Sequence, residues 1–230
     1  MEDTLQPITM PGVHSRFMEF FKRRSEPSGL KVLDLGAGQG ALTQRLVDMG
    51  YEVSACDLFP GYYKYDKVKC DRVDVTETFP YHNDTFDLVI AIEITEHILD
   101  HENFFREINR ILKPEGRLYI STPNILSMKS RMRFLYLGFP YGFKPLELEN
   151  HDGLQHVASL SLDQYNYLAV KYGFHTAEFD VDRIQSTSIW LYRLFIPFIW
   201  LNQKIKGFDP MHNQKKLLTG RLLFMIFRKR

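Results

Sequence analysis

Short apolar runs alternate with amphipathic segments along the first half of the chain, and this pattern predicts an α/β fold. Segments with apolar residues at helical spacing include Val13–Arg24, Ala41–Asp48 and Asn103–Leu112. Strands that alternate with helices in this way form a parallel sheet with helices on both faces. The apolar runs that predict buried strands are 31–35, 52–57, 69–73, 88–92 and 117–120.

The second half of the chain extends this pattern and adds two stretches to it. It predicts a helix over Leu160–Tyr172, a strand over His175–Val181 and a final strand over Arg221–Phe227. We expect one domain over 1–230, since this length suits a single α/β core. The additions are 125–157, expected to be an acceptor-binding lid, and a hydrophobic and basic excursion over 188–217.

A glycine-rich turn follows the first strand, and the chain is organised around it. Val32–Leu35 ends in a turn in which Gly36, Gly38 and Gly40 alternate, two residues beyond Asp34. Nicotinamide and flavin enzymes place a further glycine where this chain has Ala41. The stretch instead resembles motif I of the class I S-adenosylmethionine-dependent methyltransferases.

Further segments extend this resemblance over about residues 30–122. Asp57 ends the second strand, Asp74 follows the third, and Ile111–Leu118 resembles the approach to the family's fifth strand. The family's fold is a Rossmann-like, mostly parallel sheet of seven strands whose last strand is antiparallel and lies between strands five and six.

The resemblance implies S-adenosylmethionine as cofactor and assigns its binding residues. Asp34 and the turn would hold the methionine part, Asp57 the ribose and Asp74 the adenine. The full expected set is Asp34, Gly36, Ala37, Gly38, Gly40, Asp57, Leu58, Asp74, Val75 and Ile92.

A cluster of carboxylates and imidazoles just past strand four is the candidate acceptor site. Glu93, Glu96 and His97 have the spacing that places side chains on one side of a helical turn. The cluster resembles the metal site of ubiquinone-pathway O-methyltransferases and of small-RNA 2′-O-methyltransferases, with His156 as a further ligand. We therefore expect either a divalent cation such as Mg²⁺ held by these four residues, or a metal-free histidine base, or structural histidines. His151 is the other candidate for the catalytic histidine, with Glu96, His97 and His156.

Composition adds an asymmetry of charge and a prediction of compartment. The chain has a net charge of +1, yet Leu201–Arg230 contains eight bases against one acid. Cys56 and Cys70 lack metal-ligand spacing, and the first residues carry no secretory signal, which predicts a cytoplasmic protein.

One apolar stretch, Ile189–Leu201, holds both tryptophans and precedes these bases. It is shorter than the roughly 20 residues that span a bilayer. It could lie in the interface of a membrane, which would make the protein peripheral on the inner face, or form a buried helix pair or a dimer contact.

The resemblance implies methyl transfer, and we expect the acceptor to be an oxygen of a small molecule, a glycan or a lipid-linked intermediate. The chain resembles bacterial methyltransferases of polysaccharide and lipid pathways, many of which have a similar Ser121–Asn124 after strand five. It lacks the Asn-Pro-Pro-Tyr type of motif of amino-group methylases. Two alternatives stay open. The first is a metal-dependent RNA 2′-O-methyltransferase, although the basic residues are mixed with bulky apolar ones and nucleic acid is not the expected partner. The second alternative is an inactive scaffold protein that docks on membranes. Oligomeric state is left open.

Overall fold

A computed structural model describes residues 5–158, 160–207 and 211–230. It contains a seven-stranded sheet in the order β3-β2-β1-β4-β5-β7-β6. The strands are β1 Lys31–Leu35, β2 Glu52–Asp57, β3 Cys70–Arg72, β4 Phe86–Ile92, β5 Leu112–Pro123, β6 Glu178–Val181 and β7 Leu222–Arg228. The helices are α1 Val13–Lys22, α2 Ala41–Asp48, α3 His101–Ile111, α4 Met128–Leu137, α5 Leu162–Lys171, α6 Ser186–Lys206 and α7 Lys215–Thr219.

The direction of the strands confirms the expected topology. Strands β1 to β5 pair in parallel, whereas β7 lies antiparallel between β5 and β6. Because both neighbours of β7 oppose it, β6 runs parallel to β5. The register places Ser121 and Asp180 level on either side of Phe224. The carboxyl ends of β1, β2, β4, β5 and β6 therefore share one edge of the sheet.

Two apolar layers cover the sheet, one on each face. On one face α1 and α2 pack against the sheet, with Phe17 and Phe20 of α1 in edge contact with Tyr119. On the other face α3 and α5 pack against it through residues such as Phe104 and Tyr165. Helix α1 thus contributes to the core, as its aromatic spacing predicts.

The approach to β5 differs from the sequence prediction. The turn residues Lys113–Gly116 do not separate a helix from a strand, because β5 already begins at Leu112. They form an irregularity inside the strand. The residue of β5 that pairs with β4 changes from Leu112 to Arg117, whereas its partner on β4 changes only from Phe86 to Leu88. Pro114 and Gly116 therefore mark a bulge within β5 rather than its start.

The apolar stretch 189–201 lies within α6, and its surface is largely exposed. Ser188 is the buried residue of this helix, and Trp190 and Trp200 are 65% and 55% exposed. The alternative of a buried helix pair is therefore wrong, although α6 packs with α4 and α7 on its other side. Among the described residues no helix is long and apolar enough to cross a membrane. Residues 208–210 of the predicted excursion lie outside the described residues.

Candidate active site

The glycine turn between β1 and α2 has the conformation that only glycine adopts readily. Gly36, Gly38 and Gly40 have φ angles of 80°, 55° and 90°. The amides of Gly36 and Ala37 both donate to the carbonyl of Cys56 on β2, at 2.8 and 3.0 Å. These bonds fix the turn to the neighbouring strand and hold its backbone at the carboxyl edge of the sheet.

Asp57, at the end of β2, is the side chain that organises this turn. One carboxylate oxygen accepts the amide of Gly38 at 2.8 Å, and the other accepts the amide of Phe59 at 2.8 Å. The residue is only partly buried, and each oxygen has a further lone pair. Asp57 can therefore accept two hydroxyl groups of a ribose while it holds the turn.

Asp34 lies beneath the turn rather than at its surface. Its carboxylate is buried and accepts the hydroxyl of Thr43 on α2 at 2.6 Å. Burial and, to a smaller extent, the nearby charge of Asp57 raise the pKa of Asp34 to about 7, although the Thr43 bond opposes the shift. The arrangement makes Asp34 a link between β1 and α2, and its expected contact with the methionine part of the cofactor stays a prediction.

The remaining residues of the expected cofactor set lie around the same edge. Asp74 and Val75 follow β3, and Asp74 accepts the amide and hydroxyl of Thr76 at 2.9 and 2.7 Å. Leu58 follows Asp57 and is partly buried, whereas Ile92 ends β4 and is buried.

Four apolar and aromatic side chains that the sequence reasoning did not assign lie against the glycines. A Cβ placed on Gly36 would be 2.1 Å from Ile94, and one on Gly38 would be 3.1 Å from Ile8. A Cβ placed on Gly40 would be 2.7 Å from Tyr65 and 2.9 Å from Tyr63. The tyrosines that follow β2 in the sequence could have indicated the positions of Tyr63 and Tyr65.

The segment that follows β4 brings a carboxyl group and two imidazoles together. Ligand atoms of Glu96, His97 and His156 all lie within 4.8 Å of one another. The rings of His97 and His156 meet at a centroid distance of 4.8 Å and an angle of 78°. Nδ1 of His97 lies 3.1 Å from the carbonyl oxygen of Gln155, so this nitrogen carries the proton and Nε2 is available as an acceptor.

Burial controls the charges of this cluster. It raises the pKa of Glu96 well above the usual range, and the charge of Glu93 adds to the shift. It lowers the pKa of His97, and it lowers that of His156, where the neighbouring His97 acts in the same direction. Without a cation, burial therefore favours the neutral form of the Glu96 carboxyl group and neutral imidazoles on His97 and His156.

Two residues of the expected catalytic and metal set lie outside this cluster. Glu93 has a φ of 57°, and the helical turn covers only Thr95–His97, so the assumed helical spacing was wrong. Glu93 lies near the Asp182–Arg221 ion pair as well as Glu96, and burial raises its pKa to about 7. His151 is exposed in the preceding loop.

Parts of the predicted lid, 125–157, cover both halves of the site. The amide of Val157 donates to the carbonyl of Glu96 at 2.8 Å, and the Phe143 ring packs on His156 at 5.3 Å. A Cβ on Gly153 would lie 3.2 Å from Leu58, in the cofactor half. One segment thus contacts both the turn that contains Glu96 and Leu58 on the cofactor side, and its expected role as an acceptor-binding lid stays a prediction.

Comparisons with known proteins agree with this geometry. Residues 11–178 match the family model of a methyltransferase domain. A ubiquinone biosynthesis O-methyltransferase of Xanthomonas axonopodis is 34% identical over 116 residues, which cover 46% of this chain and 48% of that protein. The corresponding protein of Pelagibacter ubique is 29% identical over 156 residues, 64% of each chain. The chain thus spans about half to two thirds of the length of these curated relatives.

Solved structures show the same fold at low sequence identity. A structure titled as a SAM-dependent methyltransferase from Archaeoglobus fulgidus has a TM-score of 0.65 and 14% identity, covering 94% of this chain and 93% of the other. Phosphoethanolamine N-methyltransferase 2 of Haemonchus contortus, solved with S-adenosyl-L-methionine, has a TM-score of 0.59 and 17% identity. The match covers 97% of this chain and 54% of that one.

Proposed function

The chain belongs to the class I S-adenosylmethionine-dependent methyltransferases, and on that premise we propose that it methylates a hydroxyl group held beside Glu96, His97 and His156. The observation that carries the proposal is the convergence of these side chains at the edge where the glycine turn lies. The two curated relatives named above, from Xanthomonas axonopodis and Pelagibacter ubique, are O-methyltransferases of ubiquinone biosynthesis, which supports an oxygen acceptor here.

The donor half fits S-adenosylmethionine on two observations. The left-handed glycines allow a ligand to approach the backbone, and the half-buried Asp57 keeps lone pairs for ribose hydroxyls. Asp74, two residues beyond β3, is the residue we expect to accept from the adenine amino group. When bound, the cofactor supplies a methyl group on a positively charged sulfur.

The acceptor half can remove the proton that methyl transfer releases. An acceptor hydroxyl that received the methyl group of bound S-adenosylmethionine would have to lose its proton, and the cofactor would leave as the thioether S-adenosylhomocysteine. A neutral imidazole of His156 or His97 takes that proton, because their lowered pKa keeps them unprotonated near pH 7. Apolar contacts such as Phe143 on His156 keep water away from this step.

A divalent cation is the alternative for the same three side chains. Oε1 of Glu96 and Nδ1 of His156 are buried and have no hydrogen-bond partner among the described residues. The Nδ1–H of His97 donates a hydrogen bond to the carbonyl oxygen of Gln155 and leaves Nε2 for the ion, an arrangement typical of metal-binding histidines. Glu96, His97 and His156 would hold the ion, which would lower the pKa of an acceptor hydroxyl. Glu93 is not in this group.

Two histidines of one segment provide the test and its control. His156→Ala should reduce methyl transfer at least about a hundredfold, since general bases contribute on that order, and should leave S-adenosylhomocysteine affinity unchanged in calorimetry. His151→Ala, five residues earlier and exposed, should change neither. Transfer at the wild-type rate by His156→Ala would exclude His156 both as the base and as a metal ligand. A chelator separates them, because only the metal route should lose activity.

The acceptor class is broader, and labelling defines it. The protein is incubated with methyl-labelled S-adenosylmethionine and fractionated cell extract. Label in the organic or glycan fraction supports a lipid-linked or glycan acceptor, and label in a small-molecule fraction supports a free phenol or sugar. Nuclease-sensitive label would favour RNA instead, and no binding of S-adenosylmethionine would favour a scaffold role. We propose that the reaction takes place in the cytoplasm.

A further inference from the structure

Half of the large hydrophobic side chains that are exposed among the described residues lie on α4 and α6. They form what we call the α4/α6 surface: Phe134, Leu135, Tyr136 and Leu137 of α4 with Trp190, Leu194, Phe198, Trp200, Leu201 and Ile205 of α6. Contiguous apolar patches of this kind on a protein surface mark contact sites. We propose that the α4/α6 surface docks on an anionic lipid bilayer.

The positions on α6 follow one face of the helix. Five of the exposed residues, Trp190, Leu194, Phe198, Leu201 and Ile205, are separated by four, four, three and four positions. This spacing aligns them in one stripe along a 21-residue helix. The opposite side, which includes the buried Ser188, packs towards α4 through a bond from the Lys129 amide at 3.2 Å. The stripe is therefore the face of α6 that the fold leaves uncovered.

The charges beside the stripe select the partner. The two helices contain six bases and no acid: Lys129, Arg131, Arg133, Arg193, Lys204 and Lys206. Arg131 and Arg133 donate to carbonyl oxygens within the fold, whereas Arg193, Lys204 and Lys206 are exposed. Lys204 lies over the Trp200 ring at 4.2 Å, which places a cation beside an aromatic residue. Aromatic rings at headgroup depth with bases facing lipid phosphates are typical of interfacial helices. A symmetric contact with a second copy would instead bring these bases together without acids.

The location of the surface relates docking to the active site. Helix α4 follows the end of β5 and α6 follows the end of β6, at the edge where β4 leads to Glu96. Arg133 of α4 donates to the carbonyl of Phe143 at 3.1 Å, and Phe143 packs on His156. A bilayer bound at the α4/α6 surface would thus lie on the active-site side of the molecule.

The wild-type chain carries its own probe, because its two tryptophans are both in this surface. The full chain is mixed with vesicles of phosphatidylcholine alone or of phosphatidylcholine with phosphatidylglycerol, and tryptophan emission is recorded without any methyl donor. We expect a shift to shorter wavelength with the mixed vesicles only, reversed by high salt. No shift, or an equal shift with both kinds of vesicle, would overturn the proposal.

Paired variants test the apolar and basic parts separately by co-sedimentation. Leu194→Ser with Phe198→Ser should reduce binding to mixed vesicles about tenfold or more, given the burial of two large side chains. Arg193→Gln with Lys206→Gln should reduce it about thirtyfold by the loss of two cationic contacts. Tyr167→Ser with Val170→Ser, exposed on α5, should have no effect.

Sedimentation velocity of the same proteins without vesicles tests whether a second copy of this chain covers the α4/α6 surface instead. A wild-type dimer that the Leu194→Ser, Phe198→Ser variant converts to a monomer would overturn the bilayer proposal in favour of a second copy. A wild-type monomer that binds mixed vesicles supports it. These readouts do not involve methyl transfer, so the docking surface and the proposed activity stand or fall separately.

Discussion

The turn at Gly36 allows a prediction whose magnitude can be worked from the structure. Gly36 and Gly29 have nearly the same φ, 80° and 79°, but different surroundings. A Cβ on Gly29 would have nothing within 4 Å, whereas one on Gly36 would lie 2.1 Å from Cδ1 and 2.9 Å from Cγ1 of Ile94. Gly29→Ala therefore isolates the cost of the backbone conformation, and Gly36→Ala adds the crowding.

The two costs are of similar size. A left-handed conformation costs a residue with a Cβ roughly 1–2 kcal/mol. Overpacking costs typically about 1–3 kcal/mol. Rotation of the Ile94 side chain can move Cδ1 away but leaves Cγ1, so we expect the crowding at Gly36 to fall near the lower end. Gly29→Ala should lower the free energy of unfolding by about 1–2 kcal/mol, and Gly36→Ala by about 2–4 kcal/mol.

Urea unfolding followed by far-ultraviolet circular dichroism measures both variants. A double-mutant cycle of Gly36→Ala with Ile94→Ala isolates the contact, because Ile94→Ala removes both clashing carbons. We expect a coupling of about 1 kcal/mol in favour of the double variant. Equal destabilisation by Gly29→Ala and Gly36→Ala, with no coupling, would refute the argument that Ile94 closes over the turn.

Three further outcomes test other parts of the molecule. Asp57→Asn should weaken S-adenosylhomocysteine binding tenfold or more by calorimetry, since hydrogen bonds to charged groups contribute about 1.5–3 kcal/mol; unchanged affinity would remove this carboxylate from the site. The folded state raises the pKa of Asp34 from 3.8 to about 7, so this residue favours the folded state at low pH and loses that contribution as pH rises from about 4 to 7. Asp34→Asn should therefore gain stability relative to wild type between pH 5 and pH 8 in urea unfolding, and a difference independent of pH would contradict its burial. Arg221→Met should cost about 3–5 kcal/mol in the same assay, because it leaves the buried Asp182 carboxylate without its partner; a loss below about 1 kcal/mol would mean that water reaches that charge.

The strands and the cofactor turn could be predicted from the sequence because local patterns determine them. Strand β2, Glu52–Asp57, and helix α2, Ala41–Asp48, have the predicted bounds. The final strand, predicted over Arg221–Phe227, is β7 and lies between β5 and β6 as the resemblance implied. Apolar periodicity and glycine spacing are properties of neighbouring residues, so a single sequence contains this information.

Features that depend on distant contacts could not be predicted in the same way. The spacing predicted that Glu93 lies with Glu96 and His97. Glu93 itself has a left-handed backbone conformation, and its side chain lies near Arg221, 128 positions away in the sequence. The exposure of α6 is a similar case, because an apolar run has the same composition whether the fold covers it or not. Only the placement of α4 and α7 on one side decides which face of α6 is left uncovered.

The same three residues, Glu96, His97 and His156, could act either with a bound cation or through an imidazole base. The two routes differ in the protonation of Glu96. Burial favours the neutral carboxyl group, and a cation must displace its proton before it can bind. Cation affinity at this cluster should therefore increase with pH, whereas an imidazole base needs only the neutral histidines that burial already favours. The same burial thus keeps the two histidines neutral and favours the proton on Glu96 that a cation would have to displace.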